Sequence, residues 1–428
     1  LNLAEDGELL DIFSLTRDVQ RGKKMVAKPQ SMIVPEQQAR SGRTPPAYFL
    51  CDNNAYVLGI SPGDVKDPTY NKQRFEAFCK LNRSLLSRAT CLEAKAVMGF
   101  LDKYVPADAQ KHPVISRYYD EIMKAGKANF VFMFRGKYVH KNAEICRVWE
   151  ATIQTGDDDY VGQCLVTGEI AAIAPLHYIK IKGIPPHQGG VSLVGFNDRA
   201  YESYNRTNGQ GLNSPVSKKA MLAYSKALNH LLSDSADNKK IIVGSTTVVY
   251  WAESTSQACA ELFSGLFQST PNDESAQSGR DEQGERLLKD IAQKIKRGHP
   301  VDEKSLSQVV DGKTRFYVLG LEAPNRGRAA VRFFYSDPFL KIVRKVAQHY
   351  SDMQIGEGNE REMYHTPYRI VDETVSKKAK NAEPSPLLAG ALFRSIFTSS
   401  PYPAALYYGI INRIRADIDD EDENITKI

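Results

Sequence analysis

Two strand-forming runs joined by a short turn constrain the fold of this chain more than any other feature. Residues 315–322 and 329–335 (RFYVLGLE and AAVRFFY) are rich in β-branched and aromatic side chains, and the turn APNRGR separates them, which predicts a hairpin. After Pro338 the sequence has a helical pattern. We therefore predict an α+β fold, with a large mixed and mainly antiparallel domain over residues 1–336 and an all-α region over residues 337–428.

The residues before this hairpin alternate between strand and helix patterns. Strands are predicted at 9–15, 31–34, 47–60, 130–140 (a hairpin), 191–196 and 239–251. Helices are predicted within 71–105, at about 142–153, after Ser217 (carrying Ala220 to Leu231) and after Pro338, with breaks near 356–359 and 381–386. The polar residues 269–285 are predicted to form a linker.

The composition indicates a globular protein with an ordinary core. A chain of 428 residues is long enough for two or more domains. Because no apolar run approaches the ~20 residues that span a bilayer, no membrane partner is expected. Six scattered cysteines without a C-x-x-C pair indicate reduced core thiols and a cytoplasmic location. The first residue is Leu1 and the last segment is acidic, so both ends are expected to be incomplete.

Basic residues are concentrated in two segments, although the net charge is only +5. The segment from Arg17 to Arg43 contains seven basic and two acidic residues, and the segment from Lys313 to Lys345 contains eight basic and two acidic residues. Two positive segments in a nearly neutral chain indicate a track for a polyanion. Charged loops that contact only water are the alternative.

A pair of glycines interrupts the segment 182–197, KGIPPHQGGVSLVGFN. Gly189 and Gly190 remove side chains from two consecutive positions, which is typical of unusual backbone angles or of a close approach by another molecule. Lys180, Lys182 and His187 lie nearby, so an anionic molecule is plausible. A tight loop before a strand is the alternative.

Two catalytic motifs are incomplete in this sequence. Gly312-Lys313-Thr314 resembles the end of a P-loop, but Ser307 stands where the motif requires an earlier glycine. Ser192 follows Gly190 as in a nucleophile elbow, but Val194 replaces the second glycine. No cofactor is therefore expected.

Metal-binding patterns are weak. Cys146, Cys164, His177 and His187 could together bind zinc, but their spacing matches no known ligand pattern. The acidic run Asp157–Asp159 could bind the metal of a nuclease, although solvated acidic turns are commoner. No metal is expected, and a metal-dependent nuclease remains one alternative function.

Several segments, taken in order, resemble one family. They are PAYFLCDNNAYVLGI, CLVTGE with KGIPPHQGGVSLVGFN, ESYNRTNGQGLNSPVSKKAMLAYSKALNHLL, TTVVYWAE, YVLGLEAPNRGRAAVRFF and PYPAALYYGIINRIRAD. The family is the large subunit of the type I-C CRISPR surveillance complex, Cascade. The resemblance spans nearly the whole chain. Members of the family have a further C-terminal helical bundle and a short N-terminal stretch, which this sequence lacks.

The resemblance implies a subunit without catalytic activity. In this family the large subunit finds the protospacer-adjacent motif (PAM) in duplex DNA and helps to open the duplex so that guide RNA can pair with one strand. It then supports the displaced strand and recruits the helicase-nuclease. The implied partners are therefore target DNA, the displaced strand, guide RNA, the helicase-nuclease, and the backbone, guide 5′-end and small subunits of Cascade. A scaffold that contacts only RNA and protein is the other alternative.

The resemblance also suggests which residues contact the PAM. The minor groove is only ~6 Å wide, so a loop without Cβ atoms enters it more easily. Gly189 and Gly190 meet this requirement, and Gln188 and Ser192 can hydrogen-bond base edges or phosphate.

Duplex opening needs a wedge that replaces base stacking, at a cost of a few kcal/mol per step. The hairpin tip with Asn325, Arg326 and Arg328 is the predicted wedge. An ordinary basic turn is the alternative.

Other polar residues are expected to contact the nucleic-acid backbone or a groove. They are Arg40, Arg43, Asn53, Asn54, Lys180 and Lys182. Lys23, Lys24 and Lys28 are expected to bind the 5′ end of the guide RNA or a neighbouring subunit instead. The aromatic residues Phe49, Tyr56 and Trp251 are expected in the core rather than as stacking platforms.

Overall fold

Helices and mostly antiparallel strands both contribute to the structure, a computed structural model, which confirms the predicted α+β class. The chain separates into two units, residues 1–161 and 162–428. The described residues are 1–21, 24–30, 32–37, 46–62, 68–153, 160–186, 189–196, 198–202, 210–233, 240–267, 282–325, 327–354, 365–376 and 384–417.

Short strands and five helices form the first unit within these ranges. The strands are β1 (Asn2–Leu3), β2 (Leu9–Asp11), β3 (Thr16–Arg21), β4 (Lys24–Pro29), β5 (Cys51–Asn53), β6 (Asn129–Val131), β7 (Met133–Phe134) and β8 (Lys137–Tyr138). The helices are α1 (Asn54–Val57), α2 (Pro68–Leu86), α3 (Leu92–Lys103), α4 (Ile115–Ala125) and α5 (Ala143–Ile153). The helices predicted within 71–105 and at 142–153, and the hairpin predicted at 130–140, are thus confirmed.

Two strand predictions in the first unit are wrong. Residues 47–60 do not form one strand, because β5 ends at Asn53 and α1 follows at once. The side chain of Asn53 accepts a hydrogen bond from the amide of Ala55 and so caps the helix. The second error is the strand predicted at 31–34, since residues 32–34 form no strand, and the strands of the basic segment are instead β3 and β4, which pair as a hairpin.

The second unit contains a four-stranded antiparallel sheet in the order Lys240–Val243, Thr246–Ala252, Arg315–Asn325 and Arg328–Pro338. The strands of the second unit are β9 (Val161–Gln163, which begins at the boundary), β10 (Ile170–Ala172), β11 (Lys240–Val243), β12 (Thr246–Ala252), β13 (Arg315–Asn325) and β14 (Arg328–Pro338), and the last four form this sheet. Its helices are α6 (Lys218–Leu232), α7 (Ala258–Phe267), α8 (Glu282–Lys296), α9 (Glu303–Ser307), α10 (Phe339–Asp352), α11 (Pro367–Asp372), α12 (Pro386–Thr398) and α13 (Ala404–Asp417).

The predicted hairpin at 315–335 is confirmed, since β13 and β14 pair from Arg315 opposite Pro338 to Asn325 opposite Arg328. The single strand predicted at 239–251 is wrong. A tight turn divides it into β11 and β12, and Gly244 at that turn has a φ of +54°, a left-handed conformation that favours glycine.

The two faces of the four-stranded sheet have different partners, because side chains alternate along each strand. On one face Tyr250, Phe316 and Phe333 pack with Phe263 and Phe393 in a large core covered by helices. This core also includes buried residues of α8, α10 and α11.

A smaller core lies on the other face of the sheet. There Val249, Leu321 and Ala323 pack with Ile181 and Val191, and buried leucines of α6 complete the cluster. The segment that carries the predicted PAM loop is thus fastened directly to the sheet.

The helices after residue 338 share the large core with the strands that precede them. The functional division predicted at residue 336 stays a prediction, although the packing joins the two sides of that boundary.

The Phe316→Ala variant is expected to lose about 3–5 kcal/mol of the free energy of unfolding. The ring of Phe316 is fully buried and lies 4.9 Å from that of Phe339, centroid to centroid, so truncation leaves a cavity. Urea denaturation followed by circular dichroism measures this loss. Phe334→Ala is the matched control, because the Phe334 side chain is 58% exposed and its removal is expected to cost about 1 kcal/mol or less. Equal losses in the two variants would contradict the assigned core.

Candidate nucleic-acid interface

The glycine loop is closed at its base by backbone and side-chain hydrogen bonds. Ile181 and Val191 exchange two backbone hydrogen bonds of 2.8 Å. Asn229 of α6 accepts a 2.7 Å bond from the amide of Lys182 and donates a 3.0 Å bond to the carbonyl of Lys180. The described residues on both sides of the loop are therefore fixed at its base. The strand predicted at 191–196 is wrong, since only isolated bridges form there.

The two glycines of the loop differ in what the fold requires of them. Gly190 has a φ of +82°, and a Cβ there would lie 3.0 Å from the carbonyl oxygen of Ile181. The fold alone therefore explains Gly190. Gly189 is exposed, and a Cβ there would meet no atom within 4 Å. No contact inside the protein accounts for Gly189, and its bare backbone is open to another molecule.

The loop and the hairpin tip meet, although they are far apart in sequence. The amide of Ser192 donates a 2.8 Å hydrogen bond to the carbonyl of Gly327, and the amide of Ala329 donates a 2.9 Å bond to the carbonyl of Ser192. These bonds form a parallel bridge between Ser192 and Arg328. Two predicted sites thus form one surface, which we call the loop–hairpin surface. It consists of Lys180, Lys182, Gly189, Gly190, Ser192, Gly327 and Arg328.

Positive charge borders the loop–hairpin surface. Lys180, Lys182 and Arg328 are exposed, and the ammonium of Lys180 donates a 2.7 Å hydrogen bond to the Oγ of Ser192. The guanidinium of Arg328 lies over the ring of Tyr201, 4.6 Å from its centroid. The surface therefore combines a bare backbone, hydrogen-bonding groups and cations, which suits a polyanion with a narrow groove.

A comparison with protein-family models matches residues 1–428 to the family described as CRISPR-associated protein (Cas_Csd1). The chain belongs to this family. The match confirms the resemblance to the large subunit of the type I-C Cascade, so this Cas_Csd1 chain is a Cascade subunit with other Cascade components as its partners. No curated protein matches the chain.

Within the described residues of this Cas_Csd1 chain, at least four of the basic side chains between 313 and 345 form ion pairs in the fold. Arg332 pairs with Glu322 and Arg344 with Glu303. Lys341 and Lys345 both approach Asp337, at 3.5 and 3.9 Å. The continuous track predicted for this segment is thus reduced to fewer positions. Of its remaining basic residues, Lys313, Arg315 and Arg328 are exposed, and Arg326 lies outside the described residues.

The other predicted residues of the hairpin and loop are placed only in part. Asn325 ends β13, and its side chain is outside the described part of the structure. Gln188 also lies outside the described residues, as does His187 beside it.

The predicted contacts in the first unit have mostly structural roles where the structure describes them. Asn54 is fully buried, donates to the carbonyl of Ile60 and accepts from the amide of Ala128. Asn53 caps α1. The fold accounts for both asparagines without a ligand, and their contact with DNA stays a prediction. Arg40, Arg43 and Lys23 lie outside the described residues, and Lys24 and Lys28 lie on β4 with side chains that are not described.

The metal alternatives gain no geometry from the described residues, among which no three His, Cys, Asp or Glu side chains cluster. Cys164 is buried and its Sγ accepts a 3.2 Å hydrogen bond from the amide of Ser217. Burial raises the pKa of Cys164, but hydrogen bonds from Ser217 and Thr167 outweigh it and lower the pKa to about 6. The acidic run 157–159 lies outside the described residues.

His177, another proposed zinc ligand, is instead paired with a tyrosine. Its Nδ1 lies 2.6 Å from the hydroxyl of Tyr224 on α6, and burial lowers the pKa of the imidazole. The ring is therefore neutral at neutral pH and holds the segment that precedes the loop against α6.

None of the helices in the described ranges has the length and apolar character of a bilayer span.

Sequence reasoning missed two residues that organise this surface, Asn229 and Tyr201. Asn229 lies within a helix of ordinary pattern, and nothing in its neighbours indicates that its amide clamps a loop 47 residues earlier. Tyr201 lies in a short 3-10 turn, and only the folded chain brings it to Arg328.

The Asn229→Ala variant is expected to loosen the glycine loop, because it removes both hydrogen bonds that clamp Lys180 and Lys182. Amide hydrogen exchange in a peptide that covers residues 180–192 is expected to become about tenfold faster or more, while exchange in β12 and β13 is unchanged. Lys226→Ala, on an exposed position of the same helix, is the control. Unchanged exchange in the loop of Asn229→Ala would show that the clamp does not hold it.

Proposed function

We propose that this chain is a non-catalytic Cascade subunit that recognises the PAM in duplex DNA through the loop–hairpin surface and helps to open the duplex for guide pairing. The observation that carries the proposal is the backbone bridge between Ser192 and Arg328, which joins the glycine loop to the hairpin. A device that reads a short motif and separates the adjacent strands needs its two parts at a fixed spacing, and this bridge supplies that spacing.

The glycine loop is suited to a groove contact. Gly189 is exposed with open space around its α-carbon, so its backbone can approach base edges in a minor groove only ~6 Å wide. Lys180 and Lys182 border the loop and can contact the flanking phosphates. The hydroxyl of Ser192 accepts a hydrogen bond from the ammonium of Lys180, so both groups are positioned to contact the same part of the DNA.

The hairpin tip is suited to separating strands. It extends beyond a sheet whose strands are paired along their length, so the packed sheet supports the tip when the tip contacts DNA. The guanidinium of Arg328 lies over the ring of Tyr201, so a planar cation is held on an aromatic face. Planar groups of this kind can replace the stacking that a base loses when the duplex opens.

The remaining roles in the proposal follow from the family alone. They are contact with guide RNA, support of the displaced strand and recruitment of the helicase-nuclease. Guide pairing supplies the sequence specificity, while the protein reads only the short motif.

The Gly189→Asp variant is expected to weaken PAM-dependent duplex binding by the assembled complex at least tenfold. The new side chain fits into open space, so the fold is kept, but it adds bulk and negative charge where the groove is proposed to lie. Electrophoretic mobility shift with duplexes that carry or lack the motif measures the effect. Gly195→Asp is the matched control, because Gly195 is also exposed with open space at its Cβ position.

Two comparisons interpret this result. Wild-type PAM dependence in a folded Gly189→Asp complex would refute the groove contact. Gly190→Ala tests structure instead, since its φ of +82° and its close contacts predict a lower thermal midpoint.

The Arg328→Ala variant is expected to bind the PAM but to open the duplex several-fold less, because the stacked pair with Tyr201 is lost. Fluorescence of 2-aminopurine placed beside the motif reports opening. A duplex with a mismatched bubble at that position needs no wedge, so it is expected to restore guide pairing by the variant. Normal 2-aminopurine fluorescence in Arg328→Ala would place the wedge elsewhere.

A further inference from the structure

Three aromatic rings stack across neighbouring strands of the second unit. Trp251 of β12 stands opposite Tyr317 of β13, with ring centroids 5.1 Å apart and planes at 11°. Phe334 of β14 stacks on Tyr317 at 6.2 Å and 22°. Phe334 pairs with Leu319, so it is the diagonal neighbour of Tyr317 on the same face of the sheet. Trp251, which is expected in the core, is partly buried and packs against the small core.

The outer end of this stack is open to solvent. Phe334 is 58% exposed, and Val331, two residues past Ala329 on the same strand, is 52% exposed. Because Tyr317 covers one face of the Phe334 ring and β14 is the edge strand of the sheet, the other ring face is turned outward. Large exposed apolar groups that lie together on a sheet mark a binding surface more often than chance.

Polar contacts hold the stack in place. The hydroxyl of Tyr317 donates to the carboxylate of Glu253, and this hydrogen bond raises the pKa of Tyr317. The amide of Glu253 in turn donates a 2.9 Å bond to the carbonyl of Arg315. The Nε of Arg315 donates a 2.9 Å bond to the Oγ of Ser336 on β14. The rings are thus ordered before any ligand binds, which lowers the entropic cost of binding.

Two exposed cations next to the stack can contact an anionic ligand. Lys313 and Arg315 are exposed near the start of β13, and neither forms a salt bridge with any described residue. Two carboxylates lie close by, since that of Asp311 accepts a 2.9 Å hydrogen bond from the backbone amide of Lys313 and that of Glu253 accepts the hydroxyl of Tyr317. An open ring face beside exposed cations is the combination that single-stranded nucleic acid recognises, since the ring stacks on a base and the cations meet the phosphates. Duplex DNA cannot use such a ring, because its bases are already stacked.

We propose that Phe334, supported by Tyr317 and Trp251, is a stacking platform for an unpaired base of single-stranded DNA, with Arg315 and Lys313 contacting the adjacent phosphates. The choice of DNA rests on the proposed function, in which the hairpin releases a single strand. Phe334 lies six residues from Arg328 along β14, roughly 20 Å at the rise of a strand. A strand released at the hairpin can therefore reach the platform.

The test measures how the full chain binds a labelled twelve-nucleotide thymidine strand by fluorescence anisotropy. Phe334→Leu keeps an apolar side chain but removes the ring, and it is expected to weaken binding at least fivefold. Phe334→Trp restores a ring and is expected to bind as tightly as the wild type. A strand of the same length with abasic sites keeps the phosphates only, and its weak binding is expected to be the same for all three proteins.

Three outcomes would overturn the platform. Phe334→Leu binding as tightly as the wild type would mean that the ring of Phe334 does not stack on a base. Equal affinity for the abasic strand would mean that phosphates alone are bound. Tighter binding of an RNA strand of matching sequence would assign the surface to RNA.

The same proteins separate this inference from the proposed function. Phe334→Leu is expected to leave PAM-dependent duplex binding unchanged, and Gly189→Asp to leave single-strand binding unchanged. If Gly189→Asp keeps normal duplex binding while Phe334→Leu loses the single strand, then the PAM assignment fails and the platform stands.

Discussion

The pairing of β13 with β14 is the interaction on which the second unit depends. The register of these strands places Phe316 and Phe333 on one face and Leu321 on the other. One face is covered by helices and forms the large core, and the other holds α6 and the glycine loop. Because a shift of one residue would exchange the two faces, burial of the large core also determines which side carries the loop. Stability and the position of the candidate site therefore have the same origin.

The two adjacent glycines of the loop, Gly189 and Gly190, differ in whether the fold itself requires a residue without a side chain. Gly190 adopts a left-handed conformation with close contacts to Ile181 and Lys180, so its lack of a side chain is needed by the protein itself. Gly189 meets nothing, and the fold would accept other residues there. The glycine pair in the sequence combines these two cases, and only the folded structure distinguishes them. The position without an internal reason is the one that supports a contact with DNA.

The distribution of charge was harder to interpret from sequence than its amount. Residues 313–345 form a basic run in the sequence, yet Arg332, Lys341, Arg344 and Lys345 face carboxylates in the fold. Arg332 pairs with the buried Glu322 and is a structural residue. What is left for a polyanion is a few exposed cations at two places, the loop–hairpin surface and the open end of the aromatic stack. A count of charges along a chain cannot make this distinction, because ion pairs form between residues that are distant in sequence.

The sequence by itself determined the family, the α+β class, the β13–β14 hairpin and most of the helices, because these depend on local patterns and on motifs in a set order. It also pointed to the glycine loop and the hairpin tip. The cap at Asn53 and the turn at Gly244 are local features inside strand-like runs, whereas tertiary structure alone decided that Ser192 pairs with Arg328. It also brought Asn229 to the loop and stacked Trp251 on Tyr317. These features depend on which distant backbones and side chains meet, and local propensity carries no information about that.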